Sequence, residues 1–311
     1  MVICDDWVKC LQWAVYVPAL AAGLPLNMAA LWQLFFRVRH WSVSTVYLSS
    51  LVINDSLLLL SLPFKMYAYK EVWRLGKLFC SLLESLVYVN IYGSMLLSVC
   101  IAVDRYIALC LPFAARRLRS PRKAGLVCTA VWVLVFASSF PVYDFHGTDS
   151  NSNTSHCFQN FSNDTWEKQW LVVSLETVFC CSVAVMVFCS VQVVRTLHSL
   201  RRLKPSDAKL RNNKSAKIVL SSLVVFLVCF IPYHIAVPLY FHFKQLKQDP
   251  EIIEPLRSFV HSSLCVSSIN SLADGACYYF ILKENLQMAR REAKASIVIR
   301  PPEERTLGTD T

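Results

Sequence analysis

Apolar residues along this chain gather into seven long runs separated by polar stretches. The runs cover roughly 11–36, 43–68, 78–110, 124–143, 169–195, 215–243 and 257–282. A membrane-crossing helix needs about 20 mainly apolar residues, and each run reaches that length. The first and fourth carry no Asp, Glu, Lys or Arg between their ends and the sixth only Lys217 near its start, whereas the others hold the isolated acids Asp55, Glu84, Glu176 and Asp274. The pattern predicts an all-α membrane protein, a seven-transmembrane helix bundle over residues 11–282. Residues 1–10 would form an extracellular N-terminus, and 283–311 a short amphipathic eighth helix and a cytoplasmic tail. A soluble core of buried helices is the competing reading, and seven such lengths in one chain weigh against it.

Composition supports lipid as part of the solvent. Hydrophobic residues make up 55% of the chain and charged residues only 17%, against about 25% charged in soluble domains. The net charge of +10 would suggest nucleic acid if it were spread evenly, but no nucleic-acid-binding motif is present. The charge instead falls on alternate connections. Arg37 and Arg39 lie in the first, Arg116, Arg117, Arg119, Arg122 and Lys123 in the third, and a Lys/Arg-rich stretch from Arg195 to Lys217 in the fifth. Basic loops stay in the cytoplasm, which puts the N-terminus outside and the C-terminus inside. The sequons at Asn153, Asn160 and Asn163 all lie in the fourth connection, extracellular loop 2 (about 144–168). Intracellular loop 3 is expected at about 196–214, where the Asn213 sequon would go unused. The opening "MVICDDWVKC" is short and acidic rather than a cleavable signal peptide, so the first span would act as its own anchor.

The third span ends in "VDRYIALC", with Asp104, Arg105 and Tyr106. Cys80 lies 25 residues before Arg105, roughly 38 Å at 1.5 Å per residue, and so sits at the outer end of the same helix. A bond from Cys80 to Cys157 would pin the long outer loop over the mouth of the bundle, in a compartment where disulfides persist.

From about Ala14 to Leu286 the chain resembles the rhodopsin-like (class A) G-protein-coupled receptors. The resemblance rests on one motif per span, in order: "GLPLN" with Asn27, "LVIND" with Asp55, "WRLGKLFC" with Trp73 and Cys80, "DRY", Trp132, "CFIP" with Pro232, and "DGACY" with Tyr278. Within the family, "SLPFKM", "LRSPRK", "FHG", "NDTW" and "CYYF" are similar to the branch that responds to lysophosphatidylinositol, with nucleotide, lysophospholipid and kynurenic-acid receptors as neighbouring branches. The resemblance implies a plasma-membrane receptor for an anionic lysophospholipid that signals through a heterotrimeric G protein. It suggests the twelve/thirteen class with Rho, and the q class as a second candidate. It further implies that Asp104 holds Arg105 at rest, that Tyr278 swings inward on activation, and that Phe230, one turn above Pro232, is the lever between ligand and helix movement. Such a receptor is a two-state device biased by differential affinity.

The family pattern also places Asp55 and Ser94 at a sodium site. Asp274 stands where most relatives have Asn and adds a second carboxylate, with Asn27 and Asn270 at compatible depths. Two neighbouring acids share a proton or a cation; the alternative is a hydrogen-bonded polar cluster without an ion. No cofactor is expected beyond that sodium. Gly275 replaces the usual Pro, which keeps a weak point but restores a backbone donor.

At the ligand end, Lys65 either anchors an acidic headgroup or snorkels to the outer surface. Tyr88, Tyr92, Glu84, His234 and Arg257 are its candidate neighbours, though Glu84 could simply neutralise Lys65 and His234 could be a satisfied structural residue. Phe140, Phe145 and Phe158 could line an acyl-chain path. The basic fifth connection and the segment after Tyr278 are expected to meet membrane lipid or the G protein, and Thr306, Thr309 and Thr311 are candidate phosphorylation sites for arrestin. Departures from the family pattern are Val183 in place of proline, Asn285 in place of phenylalanine, and Cys4 and Cys10 without a partner in the last outer loop, either bonded to each other or free.

A nucleotide or small-carboxylate receptor is the second reading. It needs more converging cations, and Val237 occupies a place where such receptors often carry one. A transporter is the third, opposed by the absence of detectable repeats. An enzyme is not expected, because no nucleophile–base pair or metal-ligand spacing stands out.

Overall fold

The computed structural model describes residues 7–38, 41–70, 73–139, 157, 169–203, 214–246 and 249–278. The sequons Asn153, Asn160 and Asn163, the aromatics Phe140, Phe145 and Phe158, and the tail with Asn285, Thr306, Thr309 and Thr311 lie outside these residues. Within them the chain is helical and holds no strand.

The helix α1, Trp7–Phe36, contains one wide π turn at Ala19–Gly23. Pro25 follows two residues after its end. A proline has no N–H to give the carbonyl four residues back, and its ring crowds that carbonyl; a wider turn at this point relieves both. The helix α2, Val43–Lys70, starts where the Ser42 hydroxyl accepts the Thr45 backbone N–H at 3.2 Å, an N-cap bond that satisfies one open donor. This start puts Ser44 in the first turn.

The helix α3, Lys77–Cys110, runs 34 residues, roughly 51 Å at 1.5 Å per residue, well beyond a hydrocarbon core of about 30 Å. Just before it, Gly76 takes φ 88°, a conformation open to glycine, and its carbonyl accepts the Trp73 indole N–H at 2.8 Å. Trp73 is thereby tucked against Ala68, Cys80, Leu83 and Cys157. At the other end, Leu111 leaves the helical region because Pro112 follows it. A short helix, Pro112–Leu118, then gives way to extended backbone at Arg119 (φ −84°, ψ 103°), and Pro121 opens α4, Pro121–Ser138, at the first-turn position that suits it. Two prolines thus set where Arg119 projects.

The helix α5, Gln169–Leu203, is unbroken through Val183, as expected where proline is missing. It carries Arg195, Arg201 and Arg202 on its final turns, so it runs eight residues past the expected boundary at 195. The helix α6, Lys214–Gln245, contains Pro232 and Pro238. The helix α7 comprises Pro250–Ser267 and, after a turn at Ser268, residues 269–278.

Six of these helices are long and apolar enough to cross a membrane; α7 falls short. Its central "SSLCVSS" is rich in serine. Ser263, Ser267 and Ser268 hydrogen-bond the carbonyls of Val260, Leu264 and Leu264 at 2.9, 2.7 and 3.3 Å, and such bonds compete with the helix ladder. The break therefore falls at Ser268 rather than at the expected weak point, Gly275.

The helix α3 packs against α2, α4, α5 and α6 and forms the axis of the bundle. The outer faces of α4, α5 and α6 expose Leu126, Val133, Phe188, Val224 and Val228. Such apolar surface is unfavourable in water and fits a hydrocarbon surround.

Candidate functional site

Polar side chains inside the bundle collect at three levels. At the end of the bundle where α3 finishes, Arg119 grips Asp104 with two bonds, Nε to Oδ1 at 2.7 Å and Nη2 to Oδ2 at 3.2 Å. Ser44 also donates to Asp104 Oδ2, at 3.1 Å, and accepts from Arg105 Nη2. The expectation that Asp104 holds Arg105 directly is therefore corrected. Ser44 is a bridge between them, and the ion pair of Asp104 is with Arg119. The reason is geometric: neighbouring residues on a helix point about 100° apart, so a group from another element reaches the carboxylate more easily than the adjacent arginine does. Tyr106 faces α5, with its ring 5.5 Å from Phe188. Tyr278 is buried among Leu51, Leu97, Ile101 and Tyr47, already inside the bundle.

At mid-depth, α1, α2, α3 and α7 meet in a hydrogen-bonded network. Asp55 is fully buried, and its Oδ1 accepts from Asn90 at 3.2 Å, Ser94 at 3.1 Å and Ser271 at 3.0 Å. Asn54 donates to Ser94 Oγ at 2.9 Å and to the Asn90 carbonyl at 3.1 Å. Asn27 donates to the carbonyls of Gly23 and Ser271, both at 2.9 Å, and Asn270 donates to Asp274 Oδ2 at 2.9 Å. Asp55, Ser94, Asn27, Asn270 and Asp274 are brought together as expected, with Asp274 within electrostatic reach of Asp55. Asp55 Oδ2 and Asn27 Oδ1 are buried without a hydrogen-bond partner among the described residues, so the donor set could hold a small cation. Two glycines make the network possible. A Cβ at Gly93 would sit 2.9 Å from Asn54 Oδ1, and one at Gly275 would overlap Asn27 Nδ2. Gly275 is thus explained by close approach rather than by a kink.

Toward the outside, the residues expected to gather around Lys65 fall into separate groups. Lys65 is buried, 3% exposed, so it does not snorkel to the surface. Its Nζ lies 5.1 Å from the centroid of the Tyr16 ring, and Glu84 and Cys265 are within electrostatic reach. Glu84 Oε1 also lies 3.7 Å from the Cys80 sulfur, which carries no hydrogen to donate because it is in a disulfide. The Cys80–Cys157 disulfide is present, with Cα atoms 5.9 Å apart.

Tyr88, Tyr92 and His234 instead form an aromatic group with α5. His234 Nδ1 lies 3.0 Å from Glu176 Oε1, its ring stacks on Phe179 at 3.9 Å, and Tyr92 meets it edge-on at 5.9 Å. Tyr88 and Tyr92 are 4.6 Å apart. Arg257 sits apart again, near Glu254 at 3.8 Å. Phe230 is fully buried and packs edge-on against Phe226 at 5.2 Å. Cys10 is disulfide-bonded, and Cys265 is free.

Sequence reasoning missed Ser44, Asn54, Asn90, Arg119 and Ser271, together with the pairing of Glu176 with His234. Asn90 was within reach of a pattern argument, because it lies four residues before Ser94 and hence on the same helix face. Arg119 was not, being one of several arginines in a basic loop.

Residues 26–294 match the family described as 7 transmembrane receptor (rhodopsin family). Among curated proteins, lysophosphatidic acid receptor 6 of Gallus gallus is 32% identical over 295 residues, covering 93% of this chain and 95% of the relative. G-protein coupled receptor 55 of Homo sapiens is 33% identical over 308 residues, covering 95% and 93%. Lysophosphatidic acid receptor 4 of Mus musculus is 32% identical over 287 residues, covering 90% and 77%.

Proposed function

This chain belongs to the rhodopsin family of seven-transmembrane receptors, and we propose that within it the protein is a plasma-membrane receptor activated by an anionic lysophospholipid. Lysophosphatidic acid, named in two of the relatives above, and lysophosphatidylinositol are the leading ligands. The reading places the N-terminus outside and a heterotrimeric G protein of the twelve/thirteen class at the inner end.

The observation that carries it is Lys65. An ammonium buried inside a membrane bundle is costly and marks a functional site. Here it sits beneath the disulfide-pinned mouth, with Glu84 in electrostatic reach. An acidic headgroup would compete with Glu84 for this cation, and Trp73, Phe79 and Phe64 form an aromatic cluster at the same end of the bundle.

A nucleotide receptor fits less well. Val237 lies in an apolar cluster with Val172, Ala236, Tyr240 and Val260 and itself supplies a polyphosphate no charge.

At the inner end, ligand binding would favour a state in which Arg105 leaves Ser44 and meets the G protein. Phe230 and Pro232 would transmit the movement of α6.

The test is a G-protein dissociation panel with lysophosphatidylinositol, lysophosphatidic acid, nucleotides and kynurenic acid, on the wild type and Lys65→Ala. A lysophospholipid response that falls at least tenfold in Lys65→Ala supports the reading. A response confined to nucleotides, or one indifferent to Lys65, overturns it.

A further inference from the structure

One polar group in the outer half of the bundle is left unexplained by an anion anchored at Lys65. His234 presents Nδ1 to Glu176 Oε1 at 3.0 Å. With Glu176 an ionised acceptor and the imidazole neutral, the tautomer assigned to His234 carries its hydrogen on Nδ1 and leaves Nε2 an acceptor. That Nε2 is buried and has no hydrogen-bond partner among the described residues. The His234 side chain is only 1% exposed. The Tyr92 hydroxyl, on α3, is in the same condition, in a residue 4% exposed.

The two rings meet edge to face at 5.9 Å, so both orphaned atoms belong to one cluster. Phe179 covers one face of the imidazole, and Tyr233 meets it edge-on at 5.3 Å. Buried polar groups are ordinarily satisfied, and each exception calls for an explanation, of which an occupant is one. The cluster offers an acceptor on His234, a donor and acceptor on Tyr92, and aromatic walls. No cation lines it among the residues named. This chemistry suits an uncharged hydroxyl, which can donate to Nε2 and accept from the tyrosine. A phosphate, all acceptors, would leave Nε2 unmet.

We propose that Tyr92 and His234, held in place by Glu176, form a hydroxyl-reading subsite separate from the Lys65 anchor. It would recognise a free hydroxyl of the lipid headgroup, and this rests on the lysophospholipid reading above. The hydroxyl comes either from the glycerol, left free by the missing acyl chain, or from an inositol ring. Glu176 is a positioning residue: it orients the imidazole and does not touch the ligand.

The experiment compares lysophosphatidic acid, its 2-deoxy analogue and lysophosphatidylinositol on four receptors matched for surface level: wild type, Tyr92→Phe, His234→Phe and His234→Gln. A net hydrogen bond corresponds to about a tenfold preference. If glycerol is read, lysophosphatidic acid exceeds the deoxy analogue about tenfold in the wild type; if inositol is read, lysophosphatidylinositol exceeds both by a similar factor. Either preference should collapse toward unity in Tyr92→Phe and His234→Phe. It should persist in His234→Gln, whose amide can stand in for Nε2. Lipids that activate the wild type without any hydroxyl preference, or a preference unchanged in both Phe variants, overturn the subsite and leave the lipid reading standing. Failure of all three lipids on the wild type removes the lipid reading and the subsite together.

Discussion

The two sides of the bundle are held together by different forces. Where α1, α2, α3 and α7 meet, directed hydrogen bonds from Asn27, Asn54, Asn90, Ser94 and Ser271, three of them to Asp55, cross between helices. Where α5, α6 and α3 meet, ring contacts are prominent: Phe179 on His234 and Phe226, Tyr92 on His234, and Tyr106 on Phe188. Two prolines interrupt the backbone ladder of α6 on that side. A hydrogen-bond network has few acceptable geometries, because each unmet buried group is costly. Ring packing tolerates sliding at small cost. The first side is therefore the frame and the second is the part able to move.

Breaking the frame should have the largest effect. Gly275→Val drives a side chain into Asn27. Overpacking costs about 1–3 kcal/mol or more, and here the neighbour also holds two hydrogen bonds. Surface expression should fall severely, measured by flow cytometry on an N-terminal epitope; a wild-type level would mean α1 and α7 are not locked. Asp55→Ala should come next. It strips an acceptor from three donors, at about 1–3 kcal/mol for each group left unsatisfied, and should appear as a lower Tm of the purified receptor. Arg119→Ala removes the two-pronged grip on Asp104. Because Arg119 is about one-third exposed (31%), solvent screening limits the loss, and the readout is basal G-protein dissociation, which should rise several-fold with little change in Tm. On the mobile side, Phe226→Leu keeps an apolar contact and should cost less than about 1.5 kcal/mol, yet shift agonist potency more than stability. The reverse order, with Phe226→Leu more damaging to Tm than Asp55→Ala, would break the comparison.

Asp274→Asn sharpens it further. The substitution keeps shape and removes one of two neighbouring buried carboxylates. If the pair shares a cation, agonist potency in the variant should depend less on sodium than in the wild type. Identical sodium curves for the two would make Asp274 a plain partner of Asn270.

Much of this was legible in the chain itself. The seven apolar runs, the basic alternate connections and the ordered motifs follow from local pattern, since membrane helices satisfy their own backbone and need only length and apolarity to form. Asp55 and Asp274 stood out because a carboxylate is conspicuous in an apolar run, whereas Ser94 came from the resemblance to the receptor family. Even the break in α7 had a local cause in its serines, although Gly275 drew attention first.

What the tertiary structure alone decided is partner choice. Asp104 and Arg105 are adjacent in sequence, and that adjacency suggested a pair, yet Arg119 and Ser44 arrive from other elements and divide them. Tyr92 and His234 were grouped with Lys65 because all lie in the outer half of their spans; helix rotation instead turns them toward α5 and Glu176. Periodicity along one helix says which residues share its face. Which neighbour that face meets depends on how seven helices tilt and rotate together, and no single stretch of sequence encodes that.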